Sequence, residues 1–480
     1  MKDLYEDLPA RSRTAVTYAL LGCAFLGMLD GTVIGTALPR IVEQVGGTDS
    51  WYVWLITAYL LTSSVSVPIY GRFSDLYGRR RLLLSGVAIF LIGSLACGAA
   101  GSMEFLIVSR AFQGLGAGAL LTLGMALIRD LHPPSRAEGM IRMQTLMAAM
   151  MIAGMVGGPL LGGLLTDHAS WRWAFLINLP IGAVAAAVIA VALPQRRDPD
   201  AAPGRLDVAG IALLATGLSL VLIGLSLKGN TGRGWWDPAV LGTLLAGLAL
   251  LAALVPVERR AATPVLPPHL LRRRTYAALL AGGFFFQLAA LPVGVFLPLY
   301  LQHARGQSAT ASGLLLLPLL AGMVAGNRLT AVLIRRSGHT KPPLLAGAGL
   351  ITAGTVAFVT LGPDTPLFMT GAFLLVIGLG TGPGMGGITI ASQNAVPRAD
   401  MGAATAGSAL TKQLGGSFGL ACAQSLVAGH GARITAAGVG STVAWIGGVA
   451  GLLALASILL MRDVTVARPA AADRTPAARS

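Results

Sequence analysis

The chain has 480 residues, of which 54% are hydrophobic and 11% are charged, whereas ordinary soluble domains carry about 25% charged residues. A net charge of +15 would suit a nucleic-acid partner, but the cations lie in short segments between apolar runs and form no continuous basic face. These features exclude a large soluble domain and a nucleic-acid-binding protein, and they indicate a polytopic protein of the lipid bilayer.

Fourteen apolar runs follow one another, each close to the roughly 20 residues that cross the hydrocarbon core as a helix, so the fold class is an all-α polytopic membrane protein. The predicted spans are 14–39, 51–70, 82–101, 105–127, 140–166, 173–193, 208–227, 239–257, 276–301, 313–334, 344–361, 367–391, 402–428 and 443–461. These spans divide the chain into an N-terminal segment (1–13), six spans (14–194), a linker with spans seven and eight (195–274), six further spans (275–462) and a tail that is expected to be disordered (463–480).

The loop cations predict the orientation. With the N-terminus inside, 26 of the 35 Lys and Arg residues fall in inner segments and six in outer loops. Both termini are therefore expected in the cytoplasm. Arg142, at the inner end of span five, is counted with the inner segments, and three cations remain deeper within the spans: Arg110, Arg328 and Lys412.

Two polar residues inside the first half are the strongest functional candidates. A carboxylate within a membrane span is costly and usually faces a polar cavity, so Asp30 in span one is a candidate proton carrier, unless it stays ionised near the outer mouth. Arg110 in span four either tunes such a proton site or hydrogen-bonds backbone carbonyls near one end of its span.

The segment between spans two and three reads GRFSDLYGRRRL over 71–82 and is predicted to be a tight cytoplasmic loop. Gly71 and Gly78 suit a sharp turn, and the arginines favour the negative inner leaflet. Asp75, the one acid near Arg79 and Arg80, is by residue type either a neutralised surface carboxylate or a functional group of this loop. A weaker copy of the pattern, without the acid, runs from Gly326 to Gly338 after span ten, which suggests two related halves.

Span five carries Gly154, Gly158 and Gly162 at intervals of four, which places them on one helix face where another helix can approach closely. Pro159 removes a backbone hydrogen bond and can kink the span. In span thirteen, Lys412 either meets an anionic ligand or internal carboxylate, or extends to the inner surface.

The loop pattern resembles the signature of the major facilitator superfamily, in which this loop locks one alternating-access state. Stretches around Asp30, Arg110-Ala111-Phe112-Gln113, the span-five glycines and Asn178 resemble the fourteen-helix drug:proton antiporter branch, of the EmrB/QacA type. The family often has Asn where Gly35 stands. The resemblance implies two six-helix halves plus an inserted pair, proton coupling by Asp30 and Arg110, an antiporter motif in span five, and Gln113, Asn178 and Lys412 as candidate substrate or coupling contacts.

The resemblance implies a proton-coupled exporter of drugs or antibiotics, and we expect lipophilic neutral or monocationic substrates, handled by a monomer. A dedicated exporter of one natural product and a proton-coupled importer remain alternatives. No P-loop motif is present, and neither the histidines nor the three cysteines cluster, so we expect no ATPase, no enzyme, no bound metal and no cofactor.

Overall fold

The computed structural model describes residues 5, 8–46, 51–132, 137–196, 207–230, 234–261, 268–362, 364–397, 400–428 and 436–465. This part of the chain is helical, apart from an isolated antiparallel bridge between His339 and Thr465. The helices are α1 (Ala10–Val45), α2 (Trp51–Tyr77), α3 (Arg79–Gly98), α4 (Met103–Leu131), α5 (Ala137–His168), α6 (Trp173–Leu176), α7 (Asn178–Ala192), α8 (Val208–Asn230), α9 (Pro238–Arg260), α10 (Pro268–Leu271), α11 (Arg274–His303), α12 (Ala309–Leu315), α13 (Leu317–Ser337), α14 (Lys341–Ala357), α15 (Leu367–Gly382), α16 (Ile388–Asn394), α17 (Met401–Ala428) and α18 (Ala436–Leu460).

Each predicted span overlaps one of these helices or a pair of them. Among the described residues, 11 helices are long and apolar enough to cross a bilayer, and α2 and α8 contain shorter apolar stretches, 54–67 and 208–221. The all-helical membrane fold is therefore confirmed, whereas the count of fourteen crossings stays a prediction.

The prediction of a loop over 71–82 is wrong. Helix α2 continues to Tyr77 and α3 begins at Arg79, so Gly78 alone separates them. Residues 71–77 contain no proline, and Gly78 adopts a φ of 86°, a left-handed conformation that ends a helix at little cost for glycine. In the second half, α13 ends in the same way before Gly338, whose φ is 77°.

Helix contacts divide the bundle into two halves. In the first half α1 packs against α4, α5 and α7, while in the second half α11 packs against α17 and α18. Helices α8 and α9 pack against each other, and α8 also contacts α2 and α17, so this inserted pair lies against both halves.

The two halves meet at the end of the bundle opposite to Gly78, here called the far end. Nε2 of Gln302 at the end of α11 donates a hydrogen bond of 3.1 Å to the carbonyl oxygen of Thr36 in α1. Near the middle of the bundle, Nε2 of Gln413 in α17 donates to Oγ of Ser63 in α2 at 2.9 Å. The far end is therefore closed by contacts between the halves.

Candidate functional site

Asp30 lies in the middle of α1 with a fully buried side chain. Its Oδ2 accepts a hydrogen bond of 2.8 Å from Nη1 of Arg110, and because the Arg110 side chain is 1% exposed the two form a buried ion pair. Its Oδ1 accepts hydrogen bonds of 2.8 Å from the side-chain amides of Gln113 and Asn178. Four of the predicted site residues, from α1, α4 and α7, therefore meet at one carboxylate.

Gln113 connects the two charges. It follows Arg110 by three residues, so both side chains lie on one face of α4. Its Oε1 accepts a hydrogen bond of 2.7 Å from Nη1 of Arg110, and its Nε2 also donates to Oγ of Ser94 in α3 at 2.7 Å. A Cβ atom at Gly93 would lie 2.6 Å from Cα of Gln113, so this glycine lets α3 and α4 approach closely.

Arg110 has partners on several sides. Its Nε donates to the carbonyl oxygen of Leu55 in α2 at 3.3 Å, and its guanidinium carbon lies 4.1 Å from the centre of the Tyr59 ring. The Phe175 ring lies 5.6 Å away on α6. The sequence left open whether Arg110 meets an acid or a backbone carbonyl, and in the structure it contacts both.

Asn178 holds the start of α7 against the site. Helix α6 ends at Leu176, and α7 begins at Asn178, whose Nδ2 donates to Asp30 and, at 3.3 Å, to Oγ of Ser94. Its Oδ1 atom is buried and has no hydrogen-bond partner in the described part of the chain. The amide therefore offers an unused acceptor next to the ion pair.

The charges at this site are matched within the protein. Asp30 is paired with the Arg110 guanidinium and with two amide donors, so removal of either charged partner would leave the other buried and unmatched. Breaking a buried ion pair by removing one partner costs roughly 3–5 kcal/mol unless the surroundings rearrange. The network therefore ties together the positions of α1, α4 and α7.

Lys412 lies in the other half and does not join this network. Its Nζ donates to the carbonyl oxygen of Met385 at 2.8 Å and to Oγ1 of Thr389 at 3.0 Å. Met385 belongs to a π-helical segment, Pro383–Gly387, which connects α15 to α16. The sequence suggests two alternatives for Lys412, a contact with an anionic group or extension to the surface. The structure shows a third arrangement, in which the ammonium group donates hydrogen bonds to a neighbouring helical segment.

The arginines after Gly78 tie three helix ends together. Arg79 forms a close ion pair with Asp130 near the end of α4, and Nη2 of Arg80 donates to the carbonyl oxygen of Ala190 in α7. A side chain at Gly78 would collide with Gln195, whose Nε2 donates to the carbonyl oxygen of Tyr77 at 2.8 Å. Gly71 and Asp75 lie in the last turns of α2, and their side-chain surroundings fall outside the described residues.

The span-five glycines face α1, as their spacing predicts. A Cβ atom at Gly154 would lie 2.6 Å from the carbonyl oxygen of Phe25, and Cβ atoms at Gly158 and Gly162 would collide with Thr32 and with Val33 and Thr36, respectively. Hydrogen bonds of 3.3 Å run from Oγ1 of Thr32 to the Gly154 carbonyl and from Oγ1 of Thr36 to the Pro159 carbonyl.

Sequence reasoning missed Tyr59, Ser94 and Asp130. A hydroxyl group inside an apolar run was the available signal for Ser94, since such a group needs a partner in lipid. Asp130 lies three residues beyond the fourth predicted span, where an acid needs no partner to explain it. Nothing in the local sequence distinguishes Tyr59 from an ordinary packing residue.

Comparison with known proteins identifies the family. A family model described as the Major Facilitator Superfamily matches residues 20–420. The chain belongs to this superfamily. It is 34% identical over 408 residues to the multidrug transporter protein MdtP of Bacillus subtilis, a match covering 85% of this chain and 74% of the relative. It is 30% identical over 416 residues to multidrug resistance protein 3 of the same species, covering 86% and 78%.

A solved structure supports the fold. A POT family peptide transporter, crystallised in an auto-inhibited form, superimposes with a TM-score of 0.68 at 18% identity, covering 96% of this chain and 99% of that one. At this identity the likeness concerns the fold alone. Membership of the superfamily, shown by the family model and the relatives, makes the protein a multi-pass membrane transporter and not an enzyme.

Proposed function

We propose that this major facilitator protein is a proton-coupled exporter of drugs or antibiotics. It works by alternating access in the cytoplasmic membrane, with both termini in the cytoplasm, as a monomer of the fourteen-helix EmrB/QacA-type branch and without a cofactor. The observation that carries the proposal is the buried Asp30–Arg110 pair with its two amide partners. Such a carboxylate has no evident structural need, because an apolar pair of similar volume often stabilises equally well.

Proton exchange at Asp30 drives the cycle in this proposal. A proton from the acidic outside neutralises the carboxylate, weakens its bond to Arg110 and favours return of the empty carrier to the inward-open state. Release of the proton to the cytoplasm restores the ion pair, and substrate binding competes with the proton. The network thereby makes each conformational step depend on the protonation state.

The gradient supplies enough energy. A proton moving inward yields about 2.3 kcal/mol per 100 mV of membrane potential and about 1.4 kcal/mol per unit of pH difference. Together these sustain roughly 500-fold accumulation of a neutral solute for one proton.

Export, as the direction of transport, draws on two kinds of support. The glycine stripe of α5 packs closely on α1, next to the proposed coupling site, and resembles the antiporter motif of exporters. Two relatives carry names that describe multidrug transport or resistance. We propose lipophilic substrates, neutral or monocationic, since the six predicted spans of the second half contain no Asp or Glu that could balance a multivalent cation.

A transport panel with purified protein in proteoliposomes tests the proposal. The panel holds neutral, monocationic and dicationic amphiphiles, with and without an imposed pH gradient and a protonophore. We expect gradient-driven accumulation of several neutral or monocationic compounds that the protonophore abolishes. Accumulation that ignores the protonophore contradicts proton coupling. Transport of one compound alone favours a dedicated exporter, and co-transport of solute and proton in the same direction favours an importer.

A further inference from the structure

An acidic side chain joins the two halves at the far end. Asp167 lies in the last turn of α5, and its Oδ2 accepts hydrogen bonds from the backbone N–H of Thr310 at 2.8 Å and from Oγ1 of Thr310 at 2.6 Å. Its Oδ1 accepts one from the backbone N–H of Ala309 at 3.2 Å. A carboxylate of the first half therefore accepts hydrogen bonds from backbone N–H groups in the first turn of α12, in the second half.

The helices around this contact are packed too closely to slide past each other. A Cβ atom at Gly163 would lie 2.6 Å from the carbonyl oxygen of Ala309, and one at Gly313 would collide with the carbonyl oxygen of Pro159. The interface thus runs along two turns of α5, from Pro159 to Asp167. For the far end to open, this whole face must separate, and the bonds of Asp167 must break with it.

We propose that Asp167 and the first turn of α12 form a reversible latch that holds the far end of the transporter closed. Asp167 acts by holding α12 in place and does not contact the substrate. The inference rests on the alternating access proposed above, and it depends on neither the identity of the substrate nor the coupling to protons. Hydrogen bonds to an ionised group are stronger than neutral ones, yet water can replace them when the interface opens, because Asp167 is only partly buried.

The chain provides a matched control for this chemistry. Asp237 precedes α9, and its Oδ1 accepts a hydrogen bond of 2.9 Å from the backbone N–H of Ala239. It is also a carboxylate on the first turn of a helix, and this hydrogen bond is made to its own helix. Substitution at Asp237 therefore measures the cost of losing a helix cap while the bonds of Asp167 stay in place.

The test measures the opening of the far end directly. Spin labels are placed at the exposed positions Glu43 in α1 and Ala304 after α11, with the native cysteines replaced, and the distance distribution is recorded without substrate or proton gradient. We expect Asp167→Asn to raise the ratio of molecules with an open far end to molecules with a closed far end about tenfold. The reason is that the hydrogen bonds from Ala309 and Thr310 lose their ionised acceptor. Asp237→Asn should leave the distribution unchanged.

A second variant keeps the proposal testable if Asp167→Asn folds poorly. Thr310→Val removes the hydroxyl donor and retains the backbone N–H, so it should shift the distribution in the same direction, by a smaller factor. Superimposable distributions for wild type, Asp167→Asn and Thr310→Val overturn the latch. An equal shift in Asp237→Asn also overturns it. Because the readout needs no transport, failure of the latch is distinguishable from failure of drug export.

Discussion

Substitution of Gly154 by alanine tests the packing that supports the proposed coupling site. The new methyl group would lie 2.6 Å from the Phe25 carbonyl oxygen and 3.0 Å from the Leu29 backbone nitrogen, where ordinary contacts begin at 3.4 Å. Both obstacles are backbone atoms, so no side-chain rotation relieves them. Helix α1 must move away by roughly 0.8 Å, the difference between 3.4 and 2.6 Å. Overpacking of this kind costs about 1–3 kcal/mol.

Gly157→Ala is the matched control, because a Cβ atom there meets nothing within 4 Å. Gly157→Ala should leave the free energy of unfolding unchanged or raise it by up to ~1 kcal/mol, since alanine is the better helix former. The assay is the free energy of unfolding in mixed micelles titrated with denaturing detergent, followed for wild type and both variants. We expect Gly154→Ala to unfold at lower detergent fraction than Gly157→Ala. Equal stability of the two variants would refute the close packing of α5 on α1.

Three further outcomes follow from other parts of the chain. From the family resemblance, Asp75→Asn should lose most transport while inserting normally, which expression and transport assays check together. In vesicles, efflux of divalent cations should stay at background, because the second half has Ala289, nine residues before Pro298, where the first half has Asp30, nine residues before Pro39. Burial raises the pKa of Asp463, but hydrogen bonds from Lys341, His339 and Thr340 lower it to below its usual 3.8 overall. A carboxyl whose pKa is lower in the folded state than in the unfolded state stabilises the fold at pH values above its unfolded-state pKa. Asp463→Asn should therefore lower the free energy of unfolding by less than ~1 kcal/mol at pH 7. Thermal melts should show this difference vanishing as the pH falls below 4.

The sequence predicted the helices of the bundle well because apolar runs of sufficient length leave few alternatives in lipid. It predicted the segment over 71–82 poorly, because charged residues indicate a membrane surface but do not end a helix. A helix ends where its backbone can turn, and in this segment that position is Gly78.

The candidate site shows where pattern reasoning stops. Asp30 and Arg110 stood out because each is costly inside a span, but their meeting, and the part of Ser94, depend on how α1, α3 and α4 pack. Asp167 lies one residue beyond the predicted span, where the local sequence does not distinguish it from an ordinary loop acid. Its partner Thr310 is 143 residues away, so only the tertiary structure brings the two together.

The most direct test of the account is proton-coupled transport by Asp30→Asn in proteoliposomes. The variant keeps the shape of the side chain and cannot exchange a proton, so it should bind a neutral substrate but lose accumulation driven by a pH gradient. Asp400→Asn, at a carboxylate paired with the exposed His269, serves as the control and should transport like wild type. Wild-type accumulation by Asp30→Asn under the same gradient would contradict the account and assign the coupling to another group.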